Sequence, residues 1–167
     1  SNINTNKLKF RKFLQNFGPT LDPMIPDETK INKNINISAK LEPLKNSITY
    51  LRNFLPKNVS LIGFAGAPWT LACYMIDGRG TKDFTNTRKA LWGSNKWFME
   101  LIDTLVIYIS EKLEMQAKAG ANVLMIFDSW SHMIPNNLFK ECGIDPISKI
   151  IENLRSNNIS CPIIGFP

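Results

Sequence analysis

Apolar residues recur every three or four positions along residues 38–55, and this spacing predicts an amphipathic helix. Ser38 begins the pattern and Pro56 ends it, because proline cannot continue a helical hydrogen-bond ladder. The apolar positions are Leu41, Leu44, Ile48, Leu51 and Leu55.

Three short runs, residues 59–64, 123–127 and 162–166, are apolar at nearly every position. Such runs are typical of strands in a parallel sheet that is covered on both faces. After the first run, we predict a helix with Pro68 in its first turn, a loop over residues 77–80 and a short polar helix over residues 82–91.

A long helix is predicted next, with Ser94 as its cap, an end near Ala119 and Gly120 just beyond that end. Residues 129–143 are interpreted as a loop with one helical turn. Asp145 and Pro146 are expected to cap and start a last helix that runs to about residue 156.

Residues 7–17 form a basic amphipathic patch, which we interpret as a short helix. Residues 18–28 are rich in proline and turn-forming residues and indicate an extended connection.

The alternation of strands and helices predicts an α/β fold with a parallel sheet. A closed eight-stranded barrel needs about 250 residues, whereas this chain has 167. We therefore expect either a small open sheet or a piece of a larger barrel, with residues 1–167 as one partial domain. Both ends look cut, since there is no initiating methionine and Pro167 directly follows a strand-like run.

The formal net charge of +6 favours an anionic partner, although it also fits a solvated basic surface. Blocks of like charge, zinc-finger spacings and RNP-like aromatic runs are absent from the sequence, so we expect no nucleic-acid partner. No apolar run reaches the roughly 18 residues that a membrane span needs. The three cysteines form no CxxC motif, which indicates reduced thiols, a cytoplasmic location and no metal site.

Residues that could carry chemistry follow the first two strands. Gly66 would let the backbone turn tightly or approach a ligand, and the helix after Ala67 could favour an anion at its N-terminus. Tyr74 lies just over one helical turn beyond Trp69, where its phenol either bonds a ligand or simply faces water. For Gly66 and Ala67, the alternative to a ligand site is an ordinary strand-to-helix turn.

Asp128 and Ser129 follow the second strand, and they could serve as an acid/base group and a donor to a carboxylate, or merely as a cap. His132, the only histidine, lies close by in the sequence. A Ser–His–Asp triad is not supported, because the chain has no GxSxG motif.

Several motifs together resemble uroporphyrinogen decarboxylase of the bacterial type. They are FAGAPWTL-x-x-YM, MIFDSW, GPTLDP, AGAN and CPIIGFP, and the resemblance extends from about Gly18 to Pro167. It implies a partial (β/α)8 TIM barrel of about three βα units with an N-terminal helical segment.

The same resemblance implies an enzyme, a carboxy-lyase of porphyrin and haem biosynthesis that needs no cofactor. Such an enzyme removes four acetate carboxyl groups from uroporphyrinogen III to give coproporphyrinogen III, commonly as a homodimer. Tyr74 matches a tyrosine that bonds near a substrate acetate, and Ser129 matches a serine that binds a substrate carboxylate. Phe64, Gly66 and Phe127 would line the same cleft.

This chain departs from the family pattern. It lacks the amino-terminal arginine motif, the aspartate that holds the pyrrole N–H groups and the late histidine. No residue is therefore assigned a catalytic role, no role is carried onto Asp128 or His132, and Arg79 stands where many relatives have glycine. The expected function is that of an incomplete, inactive decarboxylase segment. The alternatives are a non-catalytic tetrapyrrole-binding or interaction remnant and a related methyltransferase, whose zinc ligands are missing here.

Overall fold

The computed structural model describes residues 9–14, 18–22, 36–78, 80–93 and 96–167. An antiparallel pair of strands comes first, with β1 over Lys9–Leu14 and β2 over Gly18–Asp22. The short helix predicted over residues 7–17 is therefore wrong. A segment this short carries too few periods to separate helix from strand, and pairing satisfies the backbone groups of both segments.

The main body is an α/β unit built on a parallel sheet, as predicted. Its strands are β3 (Ile62–Gly66), β4 (Val123–Phe127) and β5 (Ile163–Phe166), paired in the order β3-β4-β5. Its helices are α1 (Ser38–Phe54), α2 (Pro68–Asp77), α3 (Thr85–Trp92), α4 (Lys96–Lys118) and α5 (Asp145–Ser156). Among the described residues, no helix has the length and apolar character of a membrane span.

The two faces of the sheet differ. Gly63, Ala65, Leu124 and Ile126 are buried on the face that packs against the helices, chiefly α4. The opposite face is apolar yet open, and Phe64 and Phe166 expose 57% and 54% of their surface there. Within the described part of the chain no layer covers this second face, and a piece of a closed barrel would leave its interior face bare in the same way.

The long helix α4 supplies most of the covering layer. Its buried apolar residues recur at helical spacing and are Phe98, Leu101, Ile102, Leu105, Val106, Ile109 and Leu113. Gly120, with φ of 116°, ends the helix as predicted. The N–H of Gly120 bonds to the carbonyl of Ala117, and that of Ala121 to the carbonyl of Gln116, which is a Schellman motif. Ser94, the predicted cap, lies outside the described residues.

Gln116 secures the outer edge of β3. Its Nε2 donates to the Phe64 carbonyl at 3.0 Å, and its Oε1 accepts from the Phe64 N–H at 2.9 Å. A Cβ on Gly63 would lie only 2.9 Å from that Oε1, so the glycine makes room for the carboxamide. The side chain of Gln116, 3% exposed, thereby takes the place of a neighbouring strand at this point.

The strand β3 begins at Ile62, later than the predicted residue 59. Arg52 donates to the Val59 carbonyl at 2.8 Å, and Asn122 Oδ1 accepts from the Leu61 N–H at 2.9 Å. These side chains satisfy backbone groups that pairing would otherwise use.

The remaining helix starts show two further corrections. The helix α3 starts at Thr85 instead of residue 82, because the Asp77 carboxylate accepts the N–H groups of Asn86 and Thr87 in its first turn. Asp145 starts α5 but is not its side-chain cap. Its carboxylate is paired with Lys140, with Nζ to Oδ1 at 2.7 Å, and the chain enters α5 from a short π-helix over Lys140–Ile144.

Candidate functional site

The ends of β3 and β4 meet at one edge of the sheet. Gly66 lies opposite Phe127, and the N–H of Ala67 donates to the Phe127 carbonyl at 2.6 Å. The N–H of Asp128 in turn donates to the Phe166 carbonyl at 2.7 Å. All three strand ends therefore face the same side, where α/β proteins place their ligands.

The first turn of α2 holds the segment that follows β4. Pro68 stands at the start of α2, where its missing N–H costs no hydrogen bond. Trp69 Nε1 donates to the Trp130 carbonyl at 2.8 Å, and Thr70 Oγ1 donates to Asp128 Oδ1 at 2.7 Å. The Trp130 N–H donates to the same Thr70 Oγ1 at 3.2 Å. The segments that follow β3 and β4 are thus joined by side-chain hydrogen bonds.

Tyr74 and Ser129 both adjoin this junction. Ser129 is exposed and lies between two residues held by α2. The Tyr74 ring contacts the Trp130 indole edge-on, with centroids 6.4 Å apart. A Cβ on Gly80 would lie 3.9 Å from the Tyr74 hydroxyl oxygen and 3.7 Å from Trp130 Cζ2, so both rings border one small space. The roles expected for Tyr74 and Ser129 remain predictions.

Aromatic rings form the adjoining wall on the open face. Phe64 and Phe127 meet edge-on at 5.8 Å between centroids, and Phe127 meets Phe166 at 5.6 Å. Gly66 has a packing function here, because a Cβ on it would lie 2.9 Å from Leu71 Cδ2. Whether Phe64, Gly66 and Phe127 line a substrate cleft remains a prediction.

The electrostatics of the junction centre on a buried carboxyl. Asp128 is 4% exposed, and burial raises the pKa of its carboxyl group while the hydrogen bonds with Thr70 oppose that rise. Burial, with the nearby charges of Asp77 and Asp128, raises the pKa of the Cys73 thiol far above its usual range. Cys73 therefore stays a neutral thiol and is no candidate nucleophile.

His132 takes no part in a triad in this arrangement. Its ring lies 5.9 Å from the Trp130 indole between centroids, and the Asp128 carboxylate is bound by Thr70 instead. Within the described ranges, no group of three or more His, Cys, Asp or Glu side chains could hold a metal ion. Arg79, whose position in the sequence departs from the family pattern, lies outside those ranges.

The residues that build this junction are not among the predicted site residues. The sequence places Trp69 and Thr70 in a predicted helix and Trp130 in the MIFDSW motif. Phe84 is fully buried with φ of 42° and packs on Trp130 at 4.8 Å between centroids. The available signal is the threonine directly after Trp69, since a polar side chain buried in an apolar helix start needs a hydrogen-bond partner.

Comparison with known proteins gives concordant matches. Residues 12–167 match the family model described as uroporphyrinogen decarboxylase (URO-D). The uroporphyrinogen decarboxylase of Maricaulis maris is 37% identical over 155 residues, which are 93% of this chain and 45% of that protein. Those of Gluconobacter oxydans and Jannaschia sp. are 40% and 41% identical, over 78% and 79% of this chain and 37% and 38% of theirs. The chain thus spans less than half the length of these curated relatives.

Proposed function

Because the chain belongs to the uroporphyrinogen decarboxylase family, we propose that it is the central segment of a carboxy-lyase that acts on uroporphyrinogen III. The fold is accordingly a partial (β/α)8 barrel, and residues 1–167 form one partial domain of it. The full reaction would remove four acetate carboxyl groups and give coproporphyrinogen III for haem and related tetrapyrroles. The family's homodimer, a cytoplasmic location and the lack of a nucleic-acid partner belong to the same proposal.

One observation supports the proposal most: the hydrogen-bonded junction that ties Trp130, the neighbour of Ser129, to α2, the helix that carries Tyr74. Ser129 is exposed there and can donate to a carboxylate. The Tyr74 phenol, whose ring contacts Trp130, would offer a second donor at the same junction. Phe64 and Phe127 supply apolar surface for a flat macrocycle.

The chemistry explains why a binding segment needs partners. Loss of CO2 from a pyrrole acetate breaks a carbon–carbon bond, and the electron pair moves into a pyrrole ring that was first protonated at carbon. A proton then replaces the lost carboxyl group. The reaction therefore requires an acid near the ring and a carboxylate held in position. In this chain Ser129 and Tyr74 would hold the carboxylate, whereas Asp128 is buried and bonded to Thr70.

A fluorescence titration with uroporphyrin, the stable oxidised form of the substrate, tests the binding half of the proposal. We expect saturable binding that Ser129→Ala weakens about tenfold or more, since a hydrogen bond to a charged group contributes about 1.5–3 kcal/mol. Tyr74→Phe should have a similar effect. Matched controls on α1, Ser47→Ala and Tyr50→Phe, should bind like the unsubstituted chain because both residues are exposed and far along the sequence from the site.

A turnover assay separates the two candidate functions. The 167-residue chain should release no coproporphyrinogen, because the described site offers a carboxylate clamp without a free acid beside it. Turnover by the chain alone would refute the proposal that it is an incomplete, inactive segment of the enzyme. If the chain binds uroporphyrin saturably but a longer chain that includes its flanking parts shows no turnover, the alternative is favoured, a non-catalytic tetrapyrrole-binding remnant. The observation that supports this alternative is the hydrogen bond that engages Asp128 with Thr70.

A further inference from the structure

The Thr70 hydroxyl satisfies two groups on either side of Ser129. It donates its only proton to Asp128 Oδ1 at 2.7 Å, and it accepts the Trp130 N–H at 3.2 Å. A hydroxyl has one proton and two lone pairs, so a bond to Asp128 leaves the lone pairs for Trp130. Thr70 is 6% exposed, and water does not readily replace it.

The backbone of Trp130 is tied to α2 at both of its polar groups. Its N–H bonds Thr70, and its carbonyl accepts Trp69 Nε1 at 2.8 Å. The residue before Ser129 and the residue after it are therefore both anchored on consecutive residues of one helical turn. Tyr74 belongs to the same helix, one turn further on.

We infer that Thr70 is a positioning residue that sets where the Ser129 hydroxyl stands relative to Tyr74. The side chain of Ser129 remains exposed while its neighbours are fixed, so it meets a ligand without first being ordered. The carboxylate named as that ligand rests on the proposed function. The anchoring itself is a property of the chain and can be measured without any ligand.

Amide hydrogen exchange tests the anchoring. In Thr70→Val and in the smaller Thr70→Ala, we expect the Trp130 amide to exchange about tenfold faster or more, because a buried donor loses its acceptor. Thr70→Ser keeps the hydroxyl and should restore slow exchange. Thr104→Val is the matched control, since Thr104 is buried on α4 and bonds only the Glu100 carbonyl of its own helix. Unchanged Trp130 exchange in both hydroxyl-free variants would overturn the inference.

A double-mutant cycle tests the positioning. Thr70→Ala should lower the affinity for uroporphyrin about tenfold when Ser129 is present and have no further effect in Ser129→Ala. An equal loss in both backgrounds would mean a general structural effect and would overturn the inference. If the unsubstituted chain binds no uroporphyrin, the proposed function fails. The exchange rate of the Trp130 amide still decides whether Thr70 holds the segment after β4.

Discussion

Replacing Gln116 by leucine tests how the outer strand of the sheet is held. Leucine is close to glutamine in size, so the change removes the carboxamide with little loss of volume. The Phe64 N–H would lose its acceptor at 2.9 Å and the Phe64 carbonyl its donor at 3.0 Å. Both groups point away from β4, so no other strand in the described part of the chain replaces the lost bonds.

The magnitude follows from these two bonds. A buried backbone group left without a partner costs about 1–3 kcal/mol. Because the edge beside Phe64 is partly open to water, we take the lower part of that range for each group and expect a loss of about 2–3 kcal/mol in the free energy of unfolding. Such a loss would be a large part of the stability of a small domain.

Urea denaturation followed by circular dichroism measures the change as a lower midpoint at unchanged slope. Glu111→Leu is the control, because it introduces the same side chain at an exposed position of the same helix. Amide exchange at Phe64 should also become faster in Gln116→Leu. A loss below about 0.5 kcal/mol, within the range of ordinary surface substitutions, would refute the edge-capping role.

Three further predictions address the buried acid, the end of α4 and the open face. Burial raises the pKa of Asp128 in the folded state, so its contribution to stability is full at acid pH and is lost as pH rises. The free energies of unfolding of the unsubstituted chain and of Asp128→Asn, measured at about pH 4 and about pH 7, should therefore change in favour of the asparagine variant at the higher pH. A change in favour of the unsubstituted chain would contradict the raised pKa. Gly120→Ala should lower the free energy of unfolding by about 1–3 kcal/mol, because φ is 116° and the new Cβ would lie 2.7 Å from Arg52 Cγ; an unchanged urea midpoint would contradict this. The chain should self-associate through the open apolar face of the sheet, where Phe64 and Phe166 are exposed, and sedimentation of a monodisperse monomer at high concentration would count against it.

The sequence predicted those parts of the fold that depend on local pattern. The apolar period of α4 and the φ requirement at Gly120 are local properties, and the structure confirms both. The predicted start of β3 is too early because side chains take the backbone groups of Val59 and Leu61: Arg52, from the preceding helix, and Asn122, which lies 61 residues beyond Leu61. No local pattern contains that competition.

The candidate site shows the same division. Ser129 and Tyr74 were named from motifs, and the structure brings their neighbourhoods together through Trp130. The bonds that join them run from Trp69 and Thr70 to a segment about 60 residues later in the chain. Their partners become visible only once the parallel pairing of β3 and β4 is known. Asp145 is a smaller case, since its expected cap role was displaced by the ion pair with Lys140.

The central claim is that the strand ends recognise carboxylates. Porphyrins can also bind by adhering to an apolar surface such as the open sheet face. Comparing the affinity for uroporphyrin with that for its octamethyl ester, which has no free carboxylates, distinguishes carboxylate recognition from apolar adhesion. We predict that the chain prefers the free acid by about tenfold or more, and that the preference disappears when Ser129→Ala and Tyr74→Phe are combined. Equal affinity for acid and ester, or a preference that survives the loss of both hydroxyls, would contradict the account.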